Sequence, residues 1–248
     1  MALATWWATD ALSPVPPIPG FYVSTTIDAV ALASLNGIAV ADVAARRTAG
    51  HHAYVGFMDG TPVTYGWVAT CGADIGELAL RFDLPPGDRY LWDFATLPAW
   101  QGRGLYPRLL QAVLLHESRF ATRFWIIHAP ENLPSGNGMQ KAGLTPVGRL
   151  SFDAGGRAAL TPSGSIERAK VGARVLGVPL VSAALSPCWR CQAEVASGAG
   201  PASCSTDPSR ETCACAIRPR PSRPTLQPVA VLVSEAFPVG VGLSQGEG

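Results

Sequence analysis

One short stretch constrains this chain more than any other: YLWDFATLPAWQGRGLYPRLLQAVLLHE, residues 90–117, in which the hydrophobic period changes. Residues 90–96 are rich in aromatic side chains and read as a strand. Beyond Gln101–Gly104, Leu105, Leu109, Leu110, Val113 and Leu114 share one helical face through about residue 118. Gly102 and Gly104 let the backbone turn sharply between the two and come close to a ligand without a Cβ in the way. The first-turn N–H groups of the following helix have no intrahelical partners, and they sit at the positive end of its dipole. Such an arrangement binds anions, phosphate above all. Arg103 adds a charged donor beside the loop, and Pro107 falls where a missing N–H costs little. No Gly-Lys-Ser/Thr follows, so this is not a Walker loop. With Pro at 107 it is not a GxGxxG fingerprint either.

The flanking sequence supplies more of the same alternation. Residues 1–23 read as an irregular, Pro-rich lead-in, and Ser24 to about Arg47 as one or two helices. AYVGFMDGTPVTYGWVAT places two β-rich runs around Asp59-Gly60, a strong hairpin signal. IGELALRF is read as a further extended run before the turn at LPPGD. FWIIHA, residues 124–129, is almost wholly apolar, as expected of a strand buried on both faces. A short helix near 134–142 ends at Gly143, and the strand TPVGRLSF follows. Beyond about residue 160 the signals weaken, so residues 24–160 are taken as the main domain and 161–248 as a C-terminal extension.

Composition narrows the class. Lys+Arg 19 against Asp+Glu 18 is too balanced for a strongly basic nucleic-acid binder. Hydrophobic content of 48% with 15% charged describes a chain that can bury a core. No apolar run reaches the roughly 20 residues needed to span a bilayer. The first twenty residues lack the basic and continuous apolar regions of a signal peptide, and the expected compartment is the cytoplasm.

The pattern Gln-x-x-Gly-x-(small), after a strand and before a helix, resembles the acetyl-coenzyme-A pyrophosphate loop of the GNAT N-acetyltransferase superfamily. The order around it strengthens the likeness: helices, a DG hairpin, the motif strand and helix, then strand, Asn, short helix, Lys-Ala-Gly-Leu and strand. The resemblance covers about residues 25–155. It implies an α/β fold in which a mostly antiparallel sheet is splayed between two parallel strands and flanked by helices. It also implies acetyl-CoA as cosubstrate, with backbone groups of Phe94, Ala95 and Thr96 facing the pantetheine arm. Amides of Gln101, Gly102, Arg103, Gly104, Leu105 and Tyr106 would then face the pyrophosphate, and Asn132 the arm again. Two positions depart from the family pattern. Tyr106 stands where Gly or Ala is usual, and Met139 where many members carry a Tyr that protonates the departing thiolate.

The chemistry so implied is direct acetyl transfer to an amine in a ternary complex, since no Cys or Ser sits in a nucleophile motif. The amine must lose a proton, and Asp93, Glu77, His128 and Glu131 are the candidate acceptors; the residues do not rank them. Asp93 and His128 also have plainer readings, as a hydrogen-bonded strand carboxylate and a core histidine, and Asn132, among the cofactor-facing residues, has one as a helix cap. The competing function is a non-catalytic acyl-CoA sensor or interaction module. Outside the resemblance, Cys188, Cys191, Cys204, Cys213 and Cys215 crowd into one segment, and Cys188-Trp-Arg-Cys191 has the spacing of a zinc knuckle. Four of these five thiolates are expected to hold a structural Zn²⁺.

Overall fold

A computed structural model describes residues 1–12, 14–25, 27–152 and 157–182, together with the backbone of Phe237 and Pro238. In chain order the elements are β1 (Ala2–Trp7), β2 (Phe21–Ser24), α1 (Ala29–Asn36), α2 (Val40–Thr48), β3 (His51–Met58) and β4 (Thr61–Ala69). There follow β5 (Gly72–Ile75), β6 (Leu80–Asp83), β7 (Asp88–Thr96), α3 (Leu105–Glu117) and β8 (Arg123–His128). The remainder are α4 (Leu133–Lys141), β9 (Thr145–Phe152), β10 (Ala158–Pro162), α5 (Ile166–Leu176) and the two-residue β11 (Phe237–Pro238). Among the described residues no single helix is long and apolar enough to cross a membrane.

Nine strands form one sheet in the order β10-β9-β1-β8-β7-β4-β3-β2-β11, while β5 and β6 pair separately. Every pairing between neighbours in the large sheet is antiparallel except β7 with β8. This is the mixed α/β architecture expected from the sequence, with helices on both faces. The DG hairpin forms between β3 and β4, and Asp59 and Gly60 both take positive φ, as a tight mirror-image turn requires.

Three apolar clusters fill the two faces. On one, α3 and α4 supply Leu105, Leu109, Leu110, Val113 and Met139 against Trp6, Tyr54, Leu91, Phe124 and Ile126. On the other, α1 and α2 place Leu32, Leu35 and Val43 over Val55, Tyr65 and Trp67. Farther along that face, α5 and the β5–β6 hairpin cover Leu3, Trp125, Val147 and Leu160. Phe124, Trp125 and Ile126 alternate between the faces, so the near-continuous apolar run of β8 is explained by double-sided burial.

Two expectations are corrected here. Residues 1–23 are not all irregular: Ala2–Trp7 is an interior strand, antiparallel to both β8 and β9. Leu3, Ala4, Thr5 and Trp6 are all buried and apolar but for Thr5, so the run shows no alternation to read. The main domain does not stop at 160 either, because β10 crosses that point and α5 buries Ala169, Ala173, Val175 and Leu176 against the sheet.

The C-terminal end of α3 is tied down by a buried carboxylate. Glu117, 1% exposed, accepts hydrogen bonds from Tyr54 Oη at 2.6 Å, His52 Nδ1 at 2.7 Å and Arg89 Nε at 2.8 Å. Since the Tyr54 hydroxyl proton goes to Glu117, its contact with His116 Nδ1 at 2.7 Å is one in which the tyrosine accepts. Burial pushes the Glu117 carboxyl up, but the bonds from His52, Tyr54 and Arg89 outweigh it and hold the group at about 2. A carboxyl depressed below its unfolded value stabilises the fold fully above the unfolded pKa, about 4.3, and that contribution is lost as pH falls toward about 2. Glu117→Gln is therefore expected to cost about 3 kcal/mol at neutral pH, by leaving Arg89 without its counter-charge. Denaturant unfolding from pH 6 to pH 2 should also show a flatter acid limb for the variant; an unchanged limb would refute the assignment.

Candidate functional site

The opening in the sheet lies between β7 and β8. Their parallel ladder runs from Asp88–Arg123 to Leu91–Ile126 and stops, although β7 continues to Thr96 and β8 to His128. The cause is a β-bulge. On the β4 side Trp67 faces Trp92 and Tyr65 faces Ala95, so Asp93 and Phe94 together oppose Gly66. Asp93 takes φ +50°, which a non-glycine residue rarely adopts. The extra residue turns two neighbours to opposite faces: Asp93 reaches Arg46 of α2, and Phe94 joins the cluster under α3. Gly66 makes this possible, because a Cβ there would lie 2.2 Å from the Phe94 ring.

Phe94, Ala95 and Thr96 thus lie past the last β7–β8 pair, while their β4 edge stays bonded through Tyr65–Ala95 and Thr64–Thr96. Gln101 Nε2 donates to Thr96 O at 3.1 Å and closes the following turn. Gly102 and Gly104 take φ +76° and +71°, both left-handed. Among the described residues no backbone carbonyl accepts from the N–H groups of Gly102 through Tyr106. Arg103 lies over the Trp100 ring at 4.6 Å, and Arg108 bonds Gly104 O at 2.6 Å and Pro16 O at 2.7 Å. Among the described residues the loop is a cradle of N–H donors without a backbone acceptor, with cationic side chains around it, suited to an anion.

Across from the loop stands α4. Asn132 caps it, its side chain accepting from Ser135 N at 3.2 Å, so the capping role is real whatever else Asn132 does. Tyr106 crosses from α3 to α4. Its ring lies 6.0 Å from that of Phe94 and fills the place where a Gly138 Cβ would sit, and its hydroxyl reaches Ser135 Oγ at 3.5 Å. Burial pushes the Tyr106 phenol up to about 12, so it remains protonated at neutral pH. Met139 is buried in the α3–α4 core and has no proton to give.

Of the proton-acceptor candidates, the structure brings two to the opened strand ends. Asp93 is at the bulge; burial raises its pKa, and Arg46 Nη1 at 2.8 Å opposes the rise. His128 ends β8, its Nδ1 donating to Ala129 O at 2.9 Å and its ring resting near Gly136 of α4. Burial lowers its pKa, which keeps the ring neutral. Glu131, also considered, sits between β8 and the Asn132 cap. Glu77 is not on a strand of the sheet. It is exposed in the 3₁₀ turn Gly76–Leu78 between β5 and β6, where Gly76 and the left-handed Ala79 interrupt the extended run. Cys188, Cys191, Cys204, Cys213 and Cys215 lie outside the described residues. Sequence reasoning missed Arg46 and the bulge. Gly66 inside an aromatic strand was the available signal, since an interior strand glycine marks a bulge or a close approach.

The tight fit of Tyr106 on α4 can be checked. Gly138→Ala places a Cβ 2.4 Å from Tyr106 Cδ1 and should cost about 1–3 kcal/mol in denaturant unfolding. In a Tyr106→Leu background most of that loss should disappear. Additive effects would mean that the two residues do not share this space.

No family model matches the chain, and no curated protein matches it. Solved structures do. A GCN5-related N-acetyltransferase from Kribbella flavida is 18% identical over 58% of this chain and 53% of its own, with a TM-score of 0.35. RimL, a ribosomal L7/L12 alpha-N-protein acetyltransferase in an apo crystal form, is 14% identical over 56% of this chain and 83% of its own, with a TM-score of 0.38. The chain thus matches about half the length of the first of these.

Proposed function

We propose that this chain transfers an acetyl group from acetyl-CoA to an amine. The observation that carries the reading is the cradle of N–H groups from Gly102 to Tyr106, which have no backbone partner among the described residues, at the start of α3 and beside the opened end of β7. Consecutive donors of this kind suit a pyrophosphate, and the free edge of Phe94, Ala95 and Thr96 suits an arm bearing amides. Acetyl-CoA supplies the activated acyl group as a thioester; the protein's task is to hold it and to admit the amine. With no nucleophile motif in the chain, the amine attacks the thioester carbonyl itself. An N–H from β7 next to the bulge is the donor available to the developing oxyanion. Asp93 and His128 are the groups at the opening that can take the proton the amine loses. Asp93→Asn and His128→Gln separate them, because only loss of the true acceptor removes the acid limb of the rate profile.

Gly104→Val puts a branched side chain on a left-handed residue of the cradle. In a folded variant it should weaken acetyl-CoA binding by at least tenfold, about 1.4 kcal/mol. Calorimetry checks this, with free-thiol release across an amine panel for turnover. Unchanged affinity would remove the loop from the reading, and binding without turnover of any amine would favour the sensor instead. The structural zinc expected at Cys188, Cys191 and two of Cys204, Cys213 and Cys215 belongs to the same proposal. Elemental analysis of reduced protein should find about one zinc per chain, and a value near zero would remove it.

A further inference from the structure

Four polar features converge where α2 meets the bulge of β7. Arg46 and Asp93 form an ion pair at 2.8 Å, with side chains 20% and 14% exposed, so the pair is sheltered yet reachable from solvent. The Arg46 guanidinium carbon lies over both indoles, 4.5 Å from the Trp92 ring centre and 5.0 Å from that of Trp67. Trp67 Nε1 is satisfied by Asn36 Oδ1 at 2.7 Å. Trp92 Nε1, by contrast, is buried and has no acceptor among the described residues. His51, whose ring meets Trp92 edge-on at 5.1 Å, presents an orphan of the opposite kind. Its Nε2 contacts Gly72 O at 3.2 Å and so carries the proton, which leaves the buried Nδ1 as an acceptor without a donor among the described residues. Burial lowers the His51 pKa, so the ring is neutral and that lone pair is present.

A cation, an anion, an orphan donor and an orphan acceptor in one place complement a zwitterion. We propose that the Arg46–Asp93 pair, with Trp92 and His51, is the acceptor subsite, and that the amine it takes carries its own carboxylate close by, as an α-amino acid does. The proposal rests on the acetyltransferase reading of the adjoining opening and narrows its substrate class. An ammonium ion alone, brought to Asp93, comes within a few ångströms of the Arg46 charge, and the repulsion offsets much of what the carboxylate offers. A carboxylate carried by the same molecule removes that conflict: it takes further N–H groups of Arg46 while the ammonium takes Asp93, and no charge is left unpaired. The two charges of an α-amino acid are separated by two bonds, which matches the contact distance of the pair. Such an acceptor sits one residue from Phe94, the first of the three residues expected to face the thioester arm. Polyamines and peptide N-termini lack the adjacent carboxylate and are disfavoured.

The test uses the full chain and matched pairs: leucine against isoamylamine, phenylalanine against phenethylamine, with spermidine and a short peptide alongside. Acetyl-CoA-dependent thiol release should favour the amino acid of each pair by at least thirtyfold in kcat/KM, and calorimetry should show the same order of binding. Arg46→Met should shrink the preference at least tenfold. Trp92→Phe keeps an aromatic face but removes the N–H together with the five-membered ring, so it should shrink the preference several-fold even if the Arg46 variant does not fold. Equal or better use of the decarboxylated amines, or a preference untouched in both folded variants, would overturn the subsite. Amino-acid binding without acetyl transfer would sink the acetyltransferase reading and leave the subsite standing. Transfer to amines regardless of a carboxylate would do the reverse, and neither binding nor transfer would remove both.

Discussion

The Arg46–Asp93 ion pair holds one extra residue in β7, and the opened sheet depends on that residue. A left-handed aspartate costs about 1–2 kcal/mol of backbone strain and persists only where its surroundings over-determine it. Here three contacts do so. Arg46 draws the carboxylate toward α2, Gly66 gives way to the Phe94 ring, and Tyr106 backs that ring from the other side. Because the side-chain period of a strand is two, inserting one residue moves everything after it to the other face. Phe94 therefore points to α3 rather than α2, and the strand leaves its parallel partner after Leu91.

The helix that follows is fixed at one end and presents donors at the other. At its C-terminus Glu117 collects three hydrogen bonds from β3 and β7, which ties α3 to the sheet, β7 at the edge of the opening included. At its N-terminus the backbone from Gly102 to Tyr106 has no carbonyl to bond among the described residues. Had the anchor been absent, the direction of those N–H groups would vary with every tilt of the helix, and a preorganised anion site requires that it not vary. The two ends of α3 are in this sense one device, although their residues never meet.

The acceptor side is built on a different principle. The anion cradle is made of backbone, and its shape follows from glycines close together in the chain. The ground around Asp93 is made of side chains from α2, β3, β4 and β7, with the charge of Arg46 spread over two indole faces. Such a cluster discriminates among acceptors by what each would leave unpaired.

What could be read from the chain itself is what neighbouring residues decide. The switch from strand to helix at Gln101–Gly104, the hairpin at Asp59-Gly60, the doubly buried β8 and the capped α4 each follow from local pattern and turn chemistry. Composition added that the chain buries a core. The place of β1 between β8 and β9 was not legible, since its partners lie more than a hundred residues away and a run apolar but for Thr5 carries no register. Gly66 hinted at a bulge, but its place in β7 follows only when Gly66 and Phe94 are set side by side. Glu77 looked like a strand carboxylate until the left-handed Ala79 took its segment out of the sheet. Arg46 carried no signal in the sequence reading, which took Ser24 to about Arg47 only as one or two helices. Its meaning lies in Asp93, 47 residues further on, and such a pairing is made by the folded sheet rather than by spacing along the chain.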